Sequence, residues 1–301
     1  MKRRSFFQKL TGSLLLLPAA KLSAKTVIAT PFSTISPQAS NYWQLIRQSF
    51  PLTRERIYFN TGGLGPSPYQ VLEAVDRKRL ELETICETGH KYHEIAREKV
   101  AAFVGAKPQE IAFTRNATEG MNFVAHGLRL KAVDEVITTT HEHPGGALPW
   151  LAVAKQSGVK LKLIEPVHDD PDEMQKRLKS QIGCRTRVMM LSHVPCTLGS
   201  VFQVRQLCEM AKKHGLITVL DGAQAVGQIP VNLHEIGCDF YVASGHKWLL
   251  GPKGSGFIYI SEEAREFFHP TFVGAYSDRE YDLNALKLTL RKDAIVTEYG
   301  T

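Results

Sequence analysis

From residue 111 onward, short apolar runs alternate with stretches of helical periodicity. Seven runs are predicted to be β-strands: Ile111–Thr114, Glu135–Thr140, Leu161–Pro166, Val188–Val194, Leu216–Leu220, Phe240–Ala243 and Gly256–Ile260. Four helices are predicted between them: Thr118–Leu128, Ala147–Gln156, Pro171–Gln181 and Val204–His214. This alternation predicts an α/β fold, a three-layer α/β/α arrangement with a mostly parallel sheet covered on both faces. Ligands of such sheets bind at the carboxyl ends of the strands.

The chain before residue 111 has a different pattern. Residues 25–56 are predicted to be a linker and N-terminal segment with one short helix, Tyr42–Phe50. A short strand, Ile57–Asn60, is expected next, followed by a glycine-rich turn, Thr61–Pro66. Helical periodicity then covers Tyr69–Thr88 and Tyr92–Val104.

Residues 1–24 are predicted to be an export signal. The segment Arg3-Arg-Ser-Phe-Phe-Gln-Lys9 matches the twin-arginine pattern, and the short apolar stretch Thr11–Ala20 follows it. Cleavage after Ala20 or Ala24 would fit this pattern. The signal predicts a periplasmic protein that is exported already folded. An amphipathic N-terminal helix is the alternative interpretation, and no later stretch is apolar and long enough to predict a transmembrane helix or membrane anchor.

The basic charge of the chain is concentrated in this predicted signal. The whole chain has 37 Lys and Arg residues against 30 Asp and Glu, a net charge of +7. Residues 1–24 hold five of the basic residues and no acidic one, so the remainder is nearly neutral. This balance predicts no nucleic-acid partner. The five cysteines show no paired spacing, so we expect neither a disulfide framework nor a zinc site.

Chemistry-bearing residues follow several of the predicted strands. After the first strand comes Arg115-Asn-Ala-Thr-Glu-Gly120, where a helix starts with Thr118 near its N-cap. Free backbone N–H groups and the positive end of the helix dipole make such a start a seat for phosphate. An ordinary capped helix would have the same sequence.

The second strand is followed by His141-Glu-His-Pro-Gly-Gly146. An aromatic ring here would stack on a flat cofactor. His141 and His143 are also possible metal ligands, but no third ligand has a spacing that would join them. An ordinary histidine of the loop or of the core is the remaining interpretation.

Two further strand ends supply a carboxylate and a lysine. Asp221, at the end of a buried strand, needs a cationic partner such as a pyridinium nitrogen; a helix N-cap is its other interpretation. Gln224 is placed to reach a ring hydroxyl. Ser244 and His246 flank Lys247, which suits a Schiff base with a carbonyl cofactor, although a solvated loop lysine is the ordinary alternative. A phosphate seat, a flat ring, an anion and a lysine together predict pyridoxal 5′-phosphate.

These motifs, in this order, resemble the class V aminotransferases, fold-type-I pyridoxal-phosphate enzymes that include cysteine desulfurases and isopenicillin N epimerase-like proteins. The resemblance runs from about Tyr58 to Thr301. It is greatest to the epimerase-like branch in Phe59-Asn-Thr-Gly-Gly-Leu-Gly-Pro66, Arg115–Gly120 and His141–Gly146. The resemblance implies the fold-type-I large domain at residues 57–270 and a homodimer that acts on an amino acid.

The resemblance also implies a role for each matching residue. Lys247 is the Schiff-base lysine, and Lys253, in the Gly-Pro-Lys-Gly turn, does not match it. The implied cofactor-binding residues are Ala117, Thr118, Ser244 and His246 at the phosphate, His143 stacked on the ring, Asp221 at the ring nitrogen and Gln224 at the ring hydroxyl. Thr301 matches a threonine that contacts the phosphate of the neighbouring subunit.

Two departures from the family pattern affect the expected activity. In Ser192-His-Val-Pro-Cys-Thr-Leu-Gly199, Cys196 stands where desulfurases have an asparagine, which disfavours a standard desulfurase. We expect Cys196 to be a small packing residue, with a nucleophile as the alternative. Residues 271–301 are expected to begin a truncated C-terminal part, without the small domain that supplies the substrate-carboxylate arginine and the desulfurase cysteine.

Three functional hypotheses follow. The first is a pyridoxal-phosphate enzyme that transaminates or epimerises an amino acid, with Lys247 as the group that takes the Cα proton. A C–S lyase or desulfurase-like enzyme is the alternative within that chemistry, and a non-catalytic cofactor-binding relic is the alternative outside it. A dinucleotide-binding protein is excluded because no strand is followed by Gly-x-Gly-x-x-Gly and a helix.

Overall fold

The computed structural model describes residues 35–167 and 169–298. The chain divides into two compact units, Met1–Ser49 and Phe50–Thr301. The described part of the first unit contains one helix, α1 (Tyr42–Gln48). The predicted export signal lies outside the described residues and stays a prediction, as do the predicted domain boundaries.

A seven-stranded sheet forms the centre of the second unit. Its strands are β1 (Ile111–Thr114), β2 (Glu135–Thr139), β3 (Lys160–Ile164), β4 (Thr186–Ser192), β5 (Ile217–Asp221), β6 (Phe240–Ser244) and β7 (Gly256–Ile260). They lie in the order β1-β7-β6-β5-β4-β2-β3. Strand β7 pairs antiparallel with both of its neighbours, and the other pairings are parallel. The predicted mostly parallel sheet is therefore confirmed, and six carboxyl ends lie along one edge.

Helices cover both faces of this sheet. They are α2 (Tyr69–Ile85), α3 (His90–Phe103), α4 (Ala117–Gly127), α5 (Pro144–Ser157), α6 (Pro171–Gln181), α7 (Val204–Lys213) and the short α8 (Leu233–Ile236). Single 3₁₀ turns lie at Pro108–Glu110, Ala264–Glu266 and Ala294–Thr297.

Strand β6 shows how the two faces are separated. Phe240 and Val242 belong to a buried cluster with residues of α4 and α5, whereas Tyr241 and Ala243 belong to a second cluster with residues of α3, α6 and α7. Because successive strand side chains point to opposite faces, a strand buried on both sides is apolar throughout. The expected three layers are thus present.

The predicted strand Ile57–Asn60 is wrong, because this segment has no strand neighbour and no regular structure. Its apolar side chains are not covered: Ile57 is 82% exposed and Phe59 89% exposed. The Tyr58 hydroxyl instead lies 2.8 Å from the carbonyl oxygen of Asn60 and 2.7 Å from that of Leu64, which folds the segment into a loop. Apolar character alone predicted a strand here, but a strand also needs a partner.

A hairpin that the pattern did not predict follows the sheet. Strands β8 (Asp278–Asp282) and β9 (Lys287–Leu290) pair antiparallel. Nearly all of their residues are exposed, so they lack the buried face that makes a strand recognisable in sequence. Within the described residues, no helix combines the length and apolar character needed to cross a membrane.

Candidate active site

A cavity of about 580 Å³ lies at the edge formed by the carboxyl ends of β1, β5 and β6. Every predicted site residue within the described chain borders it: Ala117, Thr118, His143, Asp221, Gln224, Ser244, His246 and Lys247. Thr301 lies outside the described residues. The fold therefore brings together, from four separate segments, the groups that the sequence singled out.

Helix α4 begins at this cavity, directly after β1. Its N-cap is Asn116, two residues before Thr118: the Asn116 side chain accepts a hydrogen bond from the Glu119 amide at 2.9 Å. The Ala117 amide donates to the Ser244 hydroxyl at 3.1 Å, so the helix start and the end of β6 are tied together. Thr118 is exposed at the cavity. Amide groups and hydroxyls at a helix N-terminus form a seat suited to phosphate.

Asp221 ends β5 and is only 6% exposed. One carboxylate oxygen accepts a hydrogen bond from the Ala223 amide at 2.9 Å. Burial raises the pKa of Asp221, against the opposing effects of the Ala223 amide and of the nearby Lys247 and His143. A buried carboxylate of this kind is stabilised most by a cationic donor in the cavity, and a protonated pyridine nitrogen is such a donor.

A second carboxyl lies behind this one, and the sequence pattern did not identify it. Glu142 accepts hydrogen bonds from the Ser192 hydroxyl at 2.6 Å and from the Thr139 hydroxyl at 2.7 Å. Ser192 is the register partner of Asp221 between β4 and β5. Burial raises the pKa of Glu142, and the charge of Asp221 raises it further. Glu142 thus fixes the end of the strand that neighbours Asp221.

Lys247 follows β6 and is 9% exposed, which sets it apart from an ordinary surface lysine. The neighbouring His246 has a buried Nδ1 atom that has no hydrogen-bond partner among the described residues. Burial lowers the pKa of His246. An unpaired buried nitrogen at the rim of a cavity is a group that a ligand would satisfy.

Gln224 borders the cavity but is already bound on both sides. Its Nε2 donates to the Gly62 carbonyl oxygen at 2.8 Å, and its Oε1 accepts from Trp248 Nε1 at 2.7 Å. The sequence predicted Gln224 and missed Trp248, which contributes through its ring nitrogen. Gly62 and Gln224 lie 162 residues apart, so no local pattern could have paired them.

The two histidines of the loop after β2 have different surroundings. His143 is the N-cap of α5, where its Nδ1 accepts from the Gly145 amide at 2.9 Å, and its ring borders the cavity. His141 binds the Thr197 hydroxyl at 2.8 Å and a Glu165 oxygen at 3.0 Å. The described residues contain no group of three or more His, Cys, Asp or Glu side chains placed to hold a metal ion.

Cys196 lies on the loop after β4, is exposed and borders the cavity. The other four cysteines do not line this cavity: Cys86 and Cys184 are exposed, and Cys208 and Cys238 are buried. Burial raises the pKa of the Cys208 thiol to about 12.

The groups around the cavity fit pyridoxal phosphate. The start of α4, Ser244 and the unpaired Nδ1 of His246 suit its phosphate, and the buried carboxylate of Asp221 suits its ring nitrogen. Gly146 lets α5 approach this carboxylate, because a Cβ atom there would lie 2.9 Å from Asp221 Oδ2. Lys247 supplies the amine for its carbonyl group.

Known proteins match this chain over most of its length. The family model "Aminotransferase class-V" matches residues 70–296. A probable cysteine desulfurase of Pyrococcus abyssi is 35% identical over 257 residues, covering 81% of this chain and 63% of the relative. The isopenicillin N epimerase of Streptomyces clavuligerus is 35% identical over 246 residues, covering 79% of this chain and 62% of the relative. The chain therefore spans less than two thirds of the length of these relatives.

Solved structures of the cystine C–S lyase C-DES are also similar. The complex with its product cysteine persulfide has a TM-score of 0.76 and 28% identity, covering 84% of this chain and 69% of that chain. A variant with glycine covalently linked to the PLP cofactor has a TM-score of 0.74 and 27% identity, covering 83% of this chain and 68% of that chain. The sequence and fold comparisons thus point to the same group of proteins.

Proposed function

Because this chain belongs to the class V aminotransferase family, we propose that it forms the cofactor-binding part of a pyridoxal-phosphate enzyme that acts on an amino acid. One observation carries the proposal: Lys247, Asp221 and the start of α4 come from separate segments and border one cavity. A lysine, a buried carboxylate and a phosphate seat are the groups that this cofactor needs.

Pyridoxal phosphate, when bound, supplies an electron sink for cleavage of a bond to the α-carbon of an amino acid. Asp221 holds a proton at the ring nitrogen, because the buried carboxylate is stabilised by that cation. Ser244, His246 and the start of α4 would hold the phosphate and so orient the ring. His143, which borders the same cavity, would cover the ring and limit access of water to it.

Lys247 has two tasks in this proposal. Its amine would bind the carbonyl carbon of the cofactor, and as a free amine it would be the base that removes the α-proton of the amino acid. The proton then resides on Lys247 Nζ, inside a cavity where it can be returned. Return of the proton to the opposite face of the α-carbon would give epimerisation, whereas transamination would also require water to release a keto acid and a second keto acid to accept the amino group.

Transamination or epimerisation is the proposed reaction. A C–S lyase or desulfurase-like reaction is the second candidate, because a protein named as a probable cysteine desulfurase and an isopenicillin N epimerase match this chain with the same 35% identity. Cys196, which stands where desulfurases have an asparagine, favours the first candidate. Its position on the cavity makes it a determinant of which substrates fit.

The test is a screen of α-deuterated amino acids with protein reconstituted with pyridoxal phosphate. We expect loss of α-deuterium to solvent from at least one amino acid, and its abolition in Lys247→Ala. Release of sulfide from cysteine or cystine would identify the lyase alternative. Protein that binds the cofactor, turns yellow and exchanges no α-deuterium would contradict the proposed activity and favour the non-catalytic relic.

Assembly and location belong to the same proposal. We propose a homodimer in which Thr301 reaches the phosphate seat of the partner subunit. We also propose export to the periplasm through the twin-arginine segment at residues 1–24. Light scattering of residues 25–301 tests the dimer, and a monomeric mass would contradict it. Fractionation after Arg3→Lys and Arg4→Lys tests export, which the double substitution should abolish.

A further inference from the structure

A glycine-rich loop lies over the backbone of the lysine that holds the cofactor. We define the glycine loop as residues 60–65, the segment Asn-Thr-Gly-Gly-Leu-Gly. The Gly65 amide donates to the His246 carbonyl oxygen at 2.8 Å, and Lys253 Nζ donates to the Gly65 carbonyl oxygen at 2.6 Å. A Cβ atom on Gly65 would lie 1.9 Å from the Lys247 carbonyl oxygen. The glycine loop is therefore in direct contact with the Lys247 segment.

Gln224, in the segment after β5, forms a second connection to the same loop. Its amide bridges the Gly62 carbonyl oxygen and Trp248 Nε1, at 2.8 Å and 2.7 Å. A side chain at residue 62 would break the bridge, because a Cβ atom there would lie 2.8 Å from Gln224 Oε1 and 3.4 Å from Trp248 Cζ2. Gly62 thus leaves the room that this bridge needs.

The chemistry of the two partners allows only one orientation of the Gln224 amide. The indole nitrogen of Trp248 can only donate, and the carbonyl oxygen of Gly62 can only accept. Oε1 must therefore face Trp248, and Nε2 must face Gly62. The second N–H of Nε2 remains for an acceptor in the cavity. Trp248 directly follows Lys247, so the residue that orients the amide is fixed to the cofactor lysine.

We propose that Trp248 is a positioning residue: its indole N–H orients Gln224, which holds the glycine loop against the Lys247 segment and directs an N–H group into the cavity. The bridge to the loop stands on the described contacts alone. The second half, an N–H group aimed at the oxygen of the cofactor ring, rests on the proposed function. Through Gln224, Trp248 thus connects the glycine loop, which borders the cavity, to the bound cofactor.

The first experiment measures hydrogen exchange of the Gly65 amide in cofactor-free protein, since this amide reports whether the loop is docked on His246. Trp248→Phe keeps an aromatic ring and removes the N–H donor. A lost hydrogen bond of this kind predicts about fivefold faster exchange. Trp43→Phe is the matched control, because Trp43 is exposed and is not among the residues that line the cavity, so its substitution should leave the rate unchanged. An unchanged rate in Trp248→Phe would overturn the proposal.

The second experiment separates an orienting role from space filling. If Trp248 acts through Gln224, the double variant Trp248→Phe/Gln224→Leu should exchange no faster than Gln224→Leu alone. If the double variant instead increased the exchange rate of the Gly65 amide by the product of the two single effects, Trp248 would act independently of Gln224, and the proposal would be overturned.

The third experiment uses reconstituted protein. We expect Trp248→Phe to shift the absorption maximum of bound pyridoxal phosphate and its pH dependence, and Trp43→Phe to leave both unchanged. An unshifted spectrum would overturn the second half of the proposal. If wild-type protein bound no pyridoxal phosphate, the proposed function would fail, and the exchange data would still decide whether the bridge exists.

Discussion

The buried ion pair between Arg97 and Glu298 gives the most decisive test of what fixes β1, a strand whose carboxyl end borders the candidate cofactor site. Arg97, on α3, is 2% exposed, and Glu298 is 10% exposed. Arg97 Nη1 lies 2.6 Å from Glu298 Oε2 and also donates to the Ile111 carbonyl oxygen at 3.0 Å. Glu298 accepts from the Phe113 amide at 3.1 Å. The pair therefore joins α3 and the end of the described chain to β1, the strand that leads into α4.

Glu298→Gln is the perturbation, because it keeps the shape of the side chain and removes its charge. It leaves the buried Arg97 guanidinium with only the exposed carboxylate of Glu94, 3.4 Å away, as a counter-ion, and the loss of the buried partner should lower the free energy of unfolding by about 3 kcal/mol. At roughly 2–4 °C per kcal/mol for a chain of this size, the melting temperature should fall by about 10 °C. Replacing both residues by methionine should cost much less, since no uncompensated charge remains.

Urea unfolding at pH 7 measures this loss, with Glu173→Gln as the matched control. Glu173 pairs with Arg177 on an exposed face, so its substitution should cost less than about 1 kcal/mol. Burial acts to raise the pKa of Glu298, but the hydrogen bonds from His93 and Arg97 outweigh it and hold the pKa below its ordinary value of 4.5. The pair's contribution should therefore be complete above pH 4.5 and disappear as the pH falls further. A loss as small as that of Glu173→Gln would refute this reasoning.

Three further predictions concern pH, cofactor affinity and capping. Burial lowers the pKa of His193 from 6.5 to about 4, so the protein should lose stability as the pH falls from 6.5 to 4. His193→Gln should flatten the slope of the unfolding free energy against pH in this range, and an unchanged slope would contradict the prediction. Gly146→Ala places a Cβ atom 2.9 Å from Asp221 Oδ2 and should weaken binding of pyridoxal phosphate about tenfold in a titration, whereas unaltered affinity would show that α5 can move away. Asp170 caps α6, so Asp170→Ala should cost about 1 kcal/mol in urea unfolding without changing cofactor affinity.

The strand ends of the sheet were predictable because buried parallel strands have a strong signature. Each is a short apolar run between helices, so the residue that follows the run is found at once, as Asp221 and Lys247 were. The rule that carboxyl ends share one edge then brings these residues together without any structure. The predicted site residues share a cavity for this reason, while their roles remain proposals.

Contacts between distant segments were not predictable in the same way. In the sequence, Trp248 is an ordinary apolar residue next to Lys247. Its hydrogen bond to Gln224 depends on how two loops pack together. Glu142 lies between two histidines that were themselves candidate site residues, so it was not singled out. Its hydrogen bonds to Ser192 exist only because β2 and β4 are neighbours. The prediction of a strand at Ile57–Asn60 was wrong because an apolar run without a partner strand stays a loop. In each case the deciding information was tertiary.

Covalent attachment of pyridoxal phosphate to Lys247 is the central claim, and reconstitution followed by borohydride reduction tests it most directly. We predict a visible absorption band in wild-type protein and in Lys253→Ala, the control from the same connection between β6 and β7, and no such band in Lys247→Ala. Mass spectrometry of the reduced wild-type protein should locate the adduct on the peptide that contains Lys247. A band that persists in Lys247→Ala, or an adduct on another lysine, would contradict the account.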